Sequence, residues 1–343
     1  RLDSAERVLE RFIVAHPERP CGYYFRATAT SWRLFLIGED EDPEPLKEKF
    51  GEQLEISRKA AEEAAKIDST RFEGTLYLGA VYGQQALLAM IDHRWLVMAP
   101  PAKRSWNYIE KAQKIDPDFY DCYMGRGIYL YITDALPEVV RLLALAYGFE
   151  GDKTEGLANI WLAASRGLYS RDASRMVLMN IYSSLQEPNE RIMRTAQSLR
   201  ERYPDNPMIH WRLGDLLLRD KQFTQARETF EEVARKIESG YPYYDNRMFS
   251  EWSMAYRIAL CDKKMGEFDS ALRGFESITA ADSVHPRWIV PSANLELGRI
   301  YLMKNEFVLA EQALRRVLDG KDYHGNHDQA KELIKQIEKR SGM

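Results

Sequence analysis

The sequence predicts an all-α fold: a right-handed solenoid of antiparallel helical hairpins, with one inserted helix and a C-terminal capping helix. Three observations lead there. Apolar residues recur at helical rather than strand spacing along most of the 343 residues. One helix-end pattern returns after 48 residues, as Glu62-Glu-Ala-Ala-Lys-Ile-Asp-Ser69 and Glu110-Lys-Ala-Gln-Lys-Ile-Asp-Pro117, and the same offset carries Gly79 onto Gly127 and Phe72 onto Tyr120. Near the C-terminus, Ala226, Ala271 and Ala310 mark units spaced by 45 and 39 residues. In each unit a small residue stands 12 positions before the alanine (Gly214, Ala259, Gly298) and a large apolar one 4 after it (Phe230, Phe275, Leu314).

In chain order, residues 1–15 place Ala5, Leu9, Phe12 and Ile13 on one helical face and stop before His16-Pro17. They read as the second helix of a hairpin whose first helix lies upstream of Arg1, and a chain that begins without Met reads as trimmed. A helix over 22–36 carries Tyr24, Ala27, Ser31, Trp32 and Phe35 and should stop at Gly38. The acidic run 39–45, stiffened by Pro43 and Pro45, reads as a solvated connector rather than a cation site. Helices over 46–67 and 72–95 follow, then a break at Pro100-Pro101 and helices over 103–115 and 119–133.

In the stretch 136–164, Pro137 opens an apolar run over 139–149, a polar turn follows at 150–153, and a second helical pattern starts at Thr154. Gly156, Ile160 and Ala163 hold the second-helix positions, so 136–149 is an insertion, expected to be buried against the array as an extra helix. Helices over 173–185 and 190–203 lead into the regular units. The pattern over 326–339 keeps a polar outer face, which suits a cap. One continuous array is expected, in four parts: long-period repeats over 1–135, the insertion with its second helix over 136–170, shorter repeats over 171–320, and the cap over 321–343.

The small residue of the first helix (Gly79, Gly127, Gly214, Ala259, Gly298) is expected to face the small residue of the second (Ala226, Ala271, Ala310). Large side chains on either side would then fill the groove to the next unit. The pattern resembles the tetratricopeptide repeat, carried here by Leu297-Gly298, Tyr301 and Ala310, and by Leu213-Gly214, Ala226 and Phe230. A narrower likeness rests on Leu136-Pro137, Leu142-Leu143, Gly148-Phe149, Gly151-Asp152-Lys153 and Gly156-Leu157. That run is similar to a signature of the inclusion-body clearance family, tetratricopeptide proteins associated with mitochondria and lipid droplets. The similarity implies the topology; no site or organelle is carried over from it.

A net charge of −4 makes no electrostatic case for nucleic acid. Cys21, Cys122 and Cys261 are an odd, dispersed set and read as packing residues rather than a disulfide framework. None of the six histidines belongs to a zinc motif; His324 and His327 lack a third ligand, and Gly125-Arg-Gly127 lies inside a helical pattern rather than after a strand. No cofactor motif and no catalytic constellation is present, so the chain reads as a non-enzymatic scaffold for a protein or peptide. First helices of stacked hairpins line a concave face. Beside their packing positions stand Tyr24, Trp32, Met124, Tyr131, Trp211, Asp215, Arg219, Tyr256, Lys263, Arg299 and Met303, expected to bind the partner. Aromatic rings supply contact area there and basic side chains donate to carboxylates. Trp95, Trp106, Trp161 and Trp252 read as core. The alternative is a peripheral membrane or lipid-associated adaptor using 137–149, a segment too short to span a bilayer.

Overall fold

The computed structural model describes residues 2–36, 41–92, 94–146, 148–242, 244 and 250–341. The expected stop at Gly38, part of the acidic run and His93 lie outside them. Among the described residues every regular element is helical. The first are α1 (Leu2–Ala15), α2 (Pro20–Leu36), α3 (Glu44–Lys66), α4 (Arg71–Ile91), α5 (Trp95–Ile115), α6 (Cys122–Ala135), α7 (Glu138–Ala146) and α8 (Lys153–Arg166). Then come α9 (Arg171–Ser184), α10 (Glu190–Arg202), α11 (Pro207–Arg219), α12 (Phe223–Glu238), α13 (Glu251–Met265), α14 (Phe268–Ala280), α15 (Ile289–Met303), α16 (Phe307–Leu318) and α17 (Asn326–Ser341). The chain divides into two compact units, and the boundary after Leu178 falls inside α9. In the first, α2 packs on α3, α4 on α5 and α6 on α8; in the second, α11 packs on α12, α13 on α14 and α15 on α16, with α17 closing on α15 and α16.

Polar side chains start many of these helices. Asp152, Asn189, Asn206 and Ser250 each accept backbone N–H groups of the first turn of α8, α10, α11 and α13, satisfying donors that have no partner within the helix. Gly266 ends α13 in the left-handed region, φ +84°, where a β-carbon would be strained. The break expected at Pro100-Pro101 does not occur, because α5 begins at Trp95 and runs through both prolines. The carbonyls of Leu96 and Val97 lose their donors there. Both residues are exposed, so the lost bonds fall on the solvent side of α5 rather than in the core.

Packing within the hairpins differs from the small-on-small expectation. A β-carbon on Gly214 would stand 2.5 Å from the Phe230 ring, and one on Gly298 2.6 Å from Leu314. One on Gly79 would lie 2.8 Å from Ile109. The glycine therefore makes room for the large side chain four residues beyond the marker, not for the marker itself. Small meets small where Gly74 of α4 approaches the backbone of Ala61 and Ala65 in α3, and where α6 crosses α8. There a β-carbon on Gly127 would lie 2.6 Å from the Gly156 carbonyl, and one on Gly156 2.9 Å from the Gly127 carbonyl. In α13 and α14 the glycine stands on the second helix instead, where a β-carbon on Gly274 would lie 2.9 Å from the Ala259 methyl.

The turn before α8 is locked to α6. Phe149 is buried and stacks on Tyr129 at 5.8 Å, while Lys103 donates to the Gly148 carbonyl at 2.8 Å. Gly151 lies so close to Asp134 that a β-carbon would stand 2.3 Å from its amide, and the Asp152 amide donates to the Leu130 carbonyl at 3.2 Å. The glycines and aspartate of the 148–156 run are thus accounted for by close backbone approach and capping. The inserted helix α7 is not buried as expected: Val139, Leu142 and Leu145 are 72%, 62% and 59% exposed. Among its described side chains Val140 and Ala144 are half-buried, and α7 meets α6 along a narrow contact.

Two glycine-to-alanine changes separate helix propensity from close approach. Gly51→Ala in α3, where a β-carbon meets nothing within 4 Å, is expected to raise stability by about 0.5–1 kcal/mol. Gly127→Ala gains the same propensity but forces the α6–α8 crossing apart, and is expected to lower stability by a net amount of about 1–2 kcal/mol. Urea denaturation of both variants checks the pair.

Candidate functional site

In the second unit the first helices α11, α13 and α15 stand side by side, joined by paired polar side chains. Arg212 donates to Asn180 on α9 at 2.8 Å and meets the Asp215 carboxylate at 3.3 Å. Arg257 on α13 reaches the same carboxylate at 2.8 Å. The Trp211 indole, buried at this junction, has the Arg212 guanidinium 4.2 Å and that of Arg257 4.6 Å from its ring centre. The pattern continues further along: Lys263 on α13 and Arg299 on α15 both pair with Glu296, and Arg299 also donates to Gln329 on α17. Glu296 is almost fully buried, so its charge is held between two cations rather than hydrated. Arg219 donates to the Gln186 carbonyl at 3.1 Å and pairs with Glu187 at 3.3 Å.

Of the expected site residues, Asp215, Lys263 and Arg299 are thus brought into one helix-to-helix ladder, with Trp211 at one end. Sequence reasoning missed Arg212, Arg257 and Glu296, which complete it. A signal was available: these three recur at the 45- and 39-residue spacing of the marker alanines, three positions before Asp215, Leu260 and Arg299. Tyr256 stays within the packing, its ring 5.6 Å from Phe275 and 5.5 Å from Trp288, and burial pushes its hydroxyl pKa up. Met303 is exposed.

In the first unit the expected residues do not form a comparable array. Tyr24 packs against the core of α2, α3 and α4, 5.3 Å from the Tyr77 ring, with its hydroxyl accepting from Gln84 at 3.4 Å. Tyr131 is 2% exposed, held against the α6–α8 crossing next to Gly156, and is not presented on a surface. Trp32 is exposed and Met124 half-buried. Trp106 packs on Tyr129 at 4.4 Å, Trp252 borders the core of α13–α15, and Trp161 is half-buried; the Trp95 side chain lies outside the described residues.

Two further arrangements are structural in geometry. Asp121 accepts three successive backbone N–H groups, from Leu168, Tyr169 and Ser170, which holds the turn between α8 and α9. Burial raises its pKa, and these bonds outweigh that to leave it below the usual carboxylate value. His210 on α11 is buried between Glu232 of α12, 3.2 Å from Nε2, and the Tyr244 hydroxyl, 3.1 Å from Nδ1. Arg200 of α10 and Lys236 of α12 face the same Glu232 carboxylate, at 3.0 and 3.6 Å. Burial, then the Arg200 charge, pulls the His210 pKa below its ordinary 6.5, against the pull of Glu232. Cys122 and Cys261 are buried thiols whose pKa burial raises, and Cys21 is half-buried and pushed up to about 11 for the same reason. His324 lies against Trp288, and His327 Nε2 against the Gly320 carbonyl at 3.0 Å. Among the described residues no group of three or more His, Cys, Asp or Glu is placed to hold a metal.

Residues 194–241 and 256–324 match the family model described as tetratricopeptide repeat. The matched residues take in α11, α12, α14, α15 and α16 and parts of α10 and α13. Among solved structures the chain is similar to yeast Tom70, with 12% identity, 99% of this chain and 86% of that one covered, and a TM-score of 0.47. It is also similar to the P58(IPK) TPR domain, with 14% identity, 98% and 93% coverage, and a TM-score of 0.29. No curated protein matches the sequence.

Position within the ladder sets the cost of losing a charge. Asp215→Ala leaves two half-buried guanidiniums facing each other and is expected to lower stability by about 2–4 kcal/mol. Arg219→Ala, at an exposed pair, is expected to cost under about 1 kcal/mol. Urea midpoints of the two variants compare them. His210 sets a pH dependence of defined sign. Its folded pKa lies below the unfolded value of 6.5, so the stability it contributes is complete above that pH and is lost as the pH falls below it. The wild type is expected to lose more stability than His210→Gln between about pH 7 and about pH 5. Equal losses would remove His210 as the cause.

Proposed function

We propose that the protein is a non-enzymatic scaffold that binds a protein or peptide on the face lined by its first helices, chiefly α11, α13 and α15. The single observation that carries this reading is the polar ladder. Arg212, Arg257, Lys263 and Arg299 outnumber Asp215 and Glu296, and each is already oriented by a partner on its own or the neighbouring helix. Oriented side chains lose little freedom when a ligand arrives, so an extended peptide with acidic groups gains more per contact than on a flexible surface. Met303 adds exposed apolar area at one end. In the first unit, Trp32 and Met124 remain candidates for the same kind of contact, and Tyr24 and Tyr131 support it only as packing. The likeness of 136–157 to the inclusion-body clearance family supports the same scaffold class.

Peptides selected by display against the whole protein test the reading. Binders should be rich in Asp and Glu, and should lose about tenfold or more in affinity on Arg299→Gln combined with Met303→Glu, with helicity unchanged. Unchanged affinity in that variant would place the binding face elsewhere.

A second reading, contact of α7 with a lipid surface, is favoured by one observation: the exposed stripe Val139, Leu142 and Leu145. No described helix is long and apolar enough to cross a membrane, so such contact would be peripheral. Liposome flotation is expected to carry the wild type upward and leave a triple Glu variant of these three residues in solution. If the wild type stays down as well, the lipid reading is removed.

A further inference from the structure

After α12 the chain is pinned by one side chain. Tyr244 is 0% exposed and shares a core with Trp211 of α11, Phe230 and Val233 of α12 and Met254 of α13. Its ring meets that of His210, itself 1% exposed, at 6.1 Å and that of Tyr241 at 5.7 Å. The Lys236 ammonium stands 5.0 Å from both tyrosine ring centres. Hydrogen bonding fixes where the imidazole carries its proton. A carboxylate only accepts, so Glu232, 3.2 Å from Nε2, takes the proton there. Nδ1 is then an acceptor, and the Tyr244 hydroxyl donates to it at 3.1 Å. A second proton on the ring reverses that bond. Nδ1 becomes a donor, and Lys236 already donates to the same hydroxyl at 3.5 Å. Among the described residues no other acceptor bonds the Tyr244 proton. A buried O–H without an acceptor is unfavourable.

The charges around the ring act in the same direction. Arg200 of α10 and Lys236 of α12 both flank the Glu232 carboxylate, so a protonated His210 makes a third cation beside one anion. Asp205, in the turn before α11, is engaged by the Tyr241 hydroxyl at 2.7 Å. From α13, Met254 and Cys261 add no charge, since burial pushes the thiol pKa up to about 12. We infer that Tyr244 is a proton-released latch: protonation of His210 expels the Tyr244 side chain from its seat and frees the end of α12, while the other helices of the second unit stay folded. The inference does not rest on the proposed peptide face. In the latched form burial, then the Arg200 charge, holds the His210 pKa at about 4; released, the ring returns to its ordinary 6.5. Release therefore grows as the pH falls through about 6.5, and the open form should be at least about tenfold more populated at about pH 5 than at about pH 7.5.

The amides of Tyr241 and Tyr244 report the latch, because they donate to the carbonyls of Lys236 at 2.8 Å and Tyr241 at 3.1 Å. Their hydrogen exchange is measured in the 343-residue chain across this pH range, corrected for the intrinsic pH dependence of exchange. Protection of both amides is expected to fall at least about tenfold, with α15 amides remaining better protected at every pH. In His210→Gln the fall should be absent. Two variants keep the test open should that one not fold. Glu232→Gln keeps an acceptor for Nε2 but removes the charge that favours the imidazolium, and should move the midpoint of release to lower pH. Arg200→Gln removes a repelling cation and should move it to higher pH. No fall in the wild type, an equal fall in His210→Gln, midpoints that fail to move in opposite directions, or α15 amides exchanging as fast as that of Tyr244 each overturns the latch.

Discussion

The fold depends on one recurrent contact: a large apolar side chain of a second helix entering the space above a glycine of its first helix. Phe230 enters above Gly214, Leu314 above Gly298 and Ile109 above Gly79. Glycine in a helix costs roughly 1 kcal/mol in propensity. Burying a whole Phe or Leu side chain at the crossing offsets that, because such burial stabilises by about 1.5–3 kcal/mol. Each repeat then holds its two helices at a distance set by one side chain, and that distance sets the position of the next first helix. Where glycine faces glycine, at α6 and α8, backbone meets backbone directly, and the turn before α8 is clamped to α6.

The polar ladder follows from this spacing. Arg212, Arg257 and Glu296 occupy one repeat position, and Asp215 and Arg299 the position three later. Stacking brings these two positions within ion-pair reach across neighbouring helices, so Arg257 reaches Asp215, and Lys263, six residues after Arg257, reaches Glu296. Opposite signs at equivalent positions hold the row together, and the excess of basic groups leaves it suited to an acidic ligand. The first unit uses its equivalent positions differently. Aromatic rings such as Tyr24, Tyr77 and Tyr82 fill the space between helices there, and few of them reach the surface.

Much of this architecture is legible in the sequence. The helices, the insertion at 136–149 and the marker alanines all follow from periodicity and from Gly and Pro positions, because these are local properties. What a glycine faces is not local. The spacing of Gly214 and Ala226 shows a crossing, but whether alanine or Phe230 meets the glycine depends on the rotation of the second helix. The prolines of α5 mislead for a related reason: propensity registers the lost donors, while their tolerance rests on the exposure of Leu96 and Val97. Exposure also decides α7. Its composition is that of a buried helix, and only the fold shows Val139, Leu142 and Leu145 turned outward. Among the candidate site residues, identity and spacing pick out Asp215, Lys263 and Arg299, but the partners Arg257, Glu296 and Gln329 that link them across helices follow only from the fold.

The central claim is that glycine and the large residue opposite it act as one unit, and a double-mutant cycle on Gly298 and Leu314 tests it most directly. Gly298→Ala alone forces a β-carbon into the Leu314 side chain, and Leu314→Ala alone opens a cavity; in the double variant the added methyl enters that cavity. Urea denaturation is expected to find the double variant more stable than the sum of the single effects by about 1 kcal/mol or more. Additive effects, within about 0.3 kcal/mol, would contradict it.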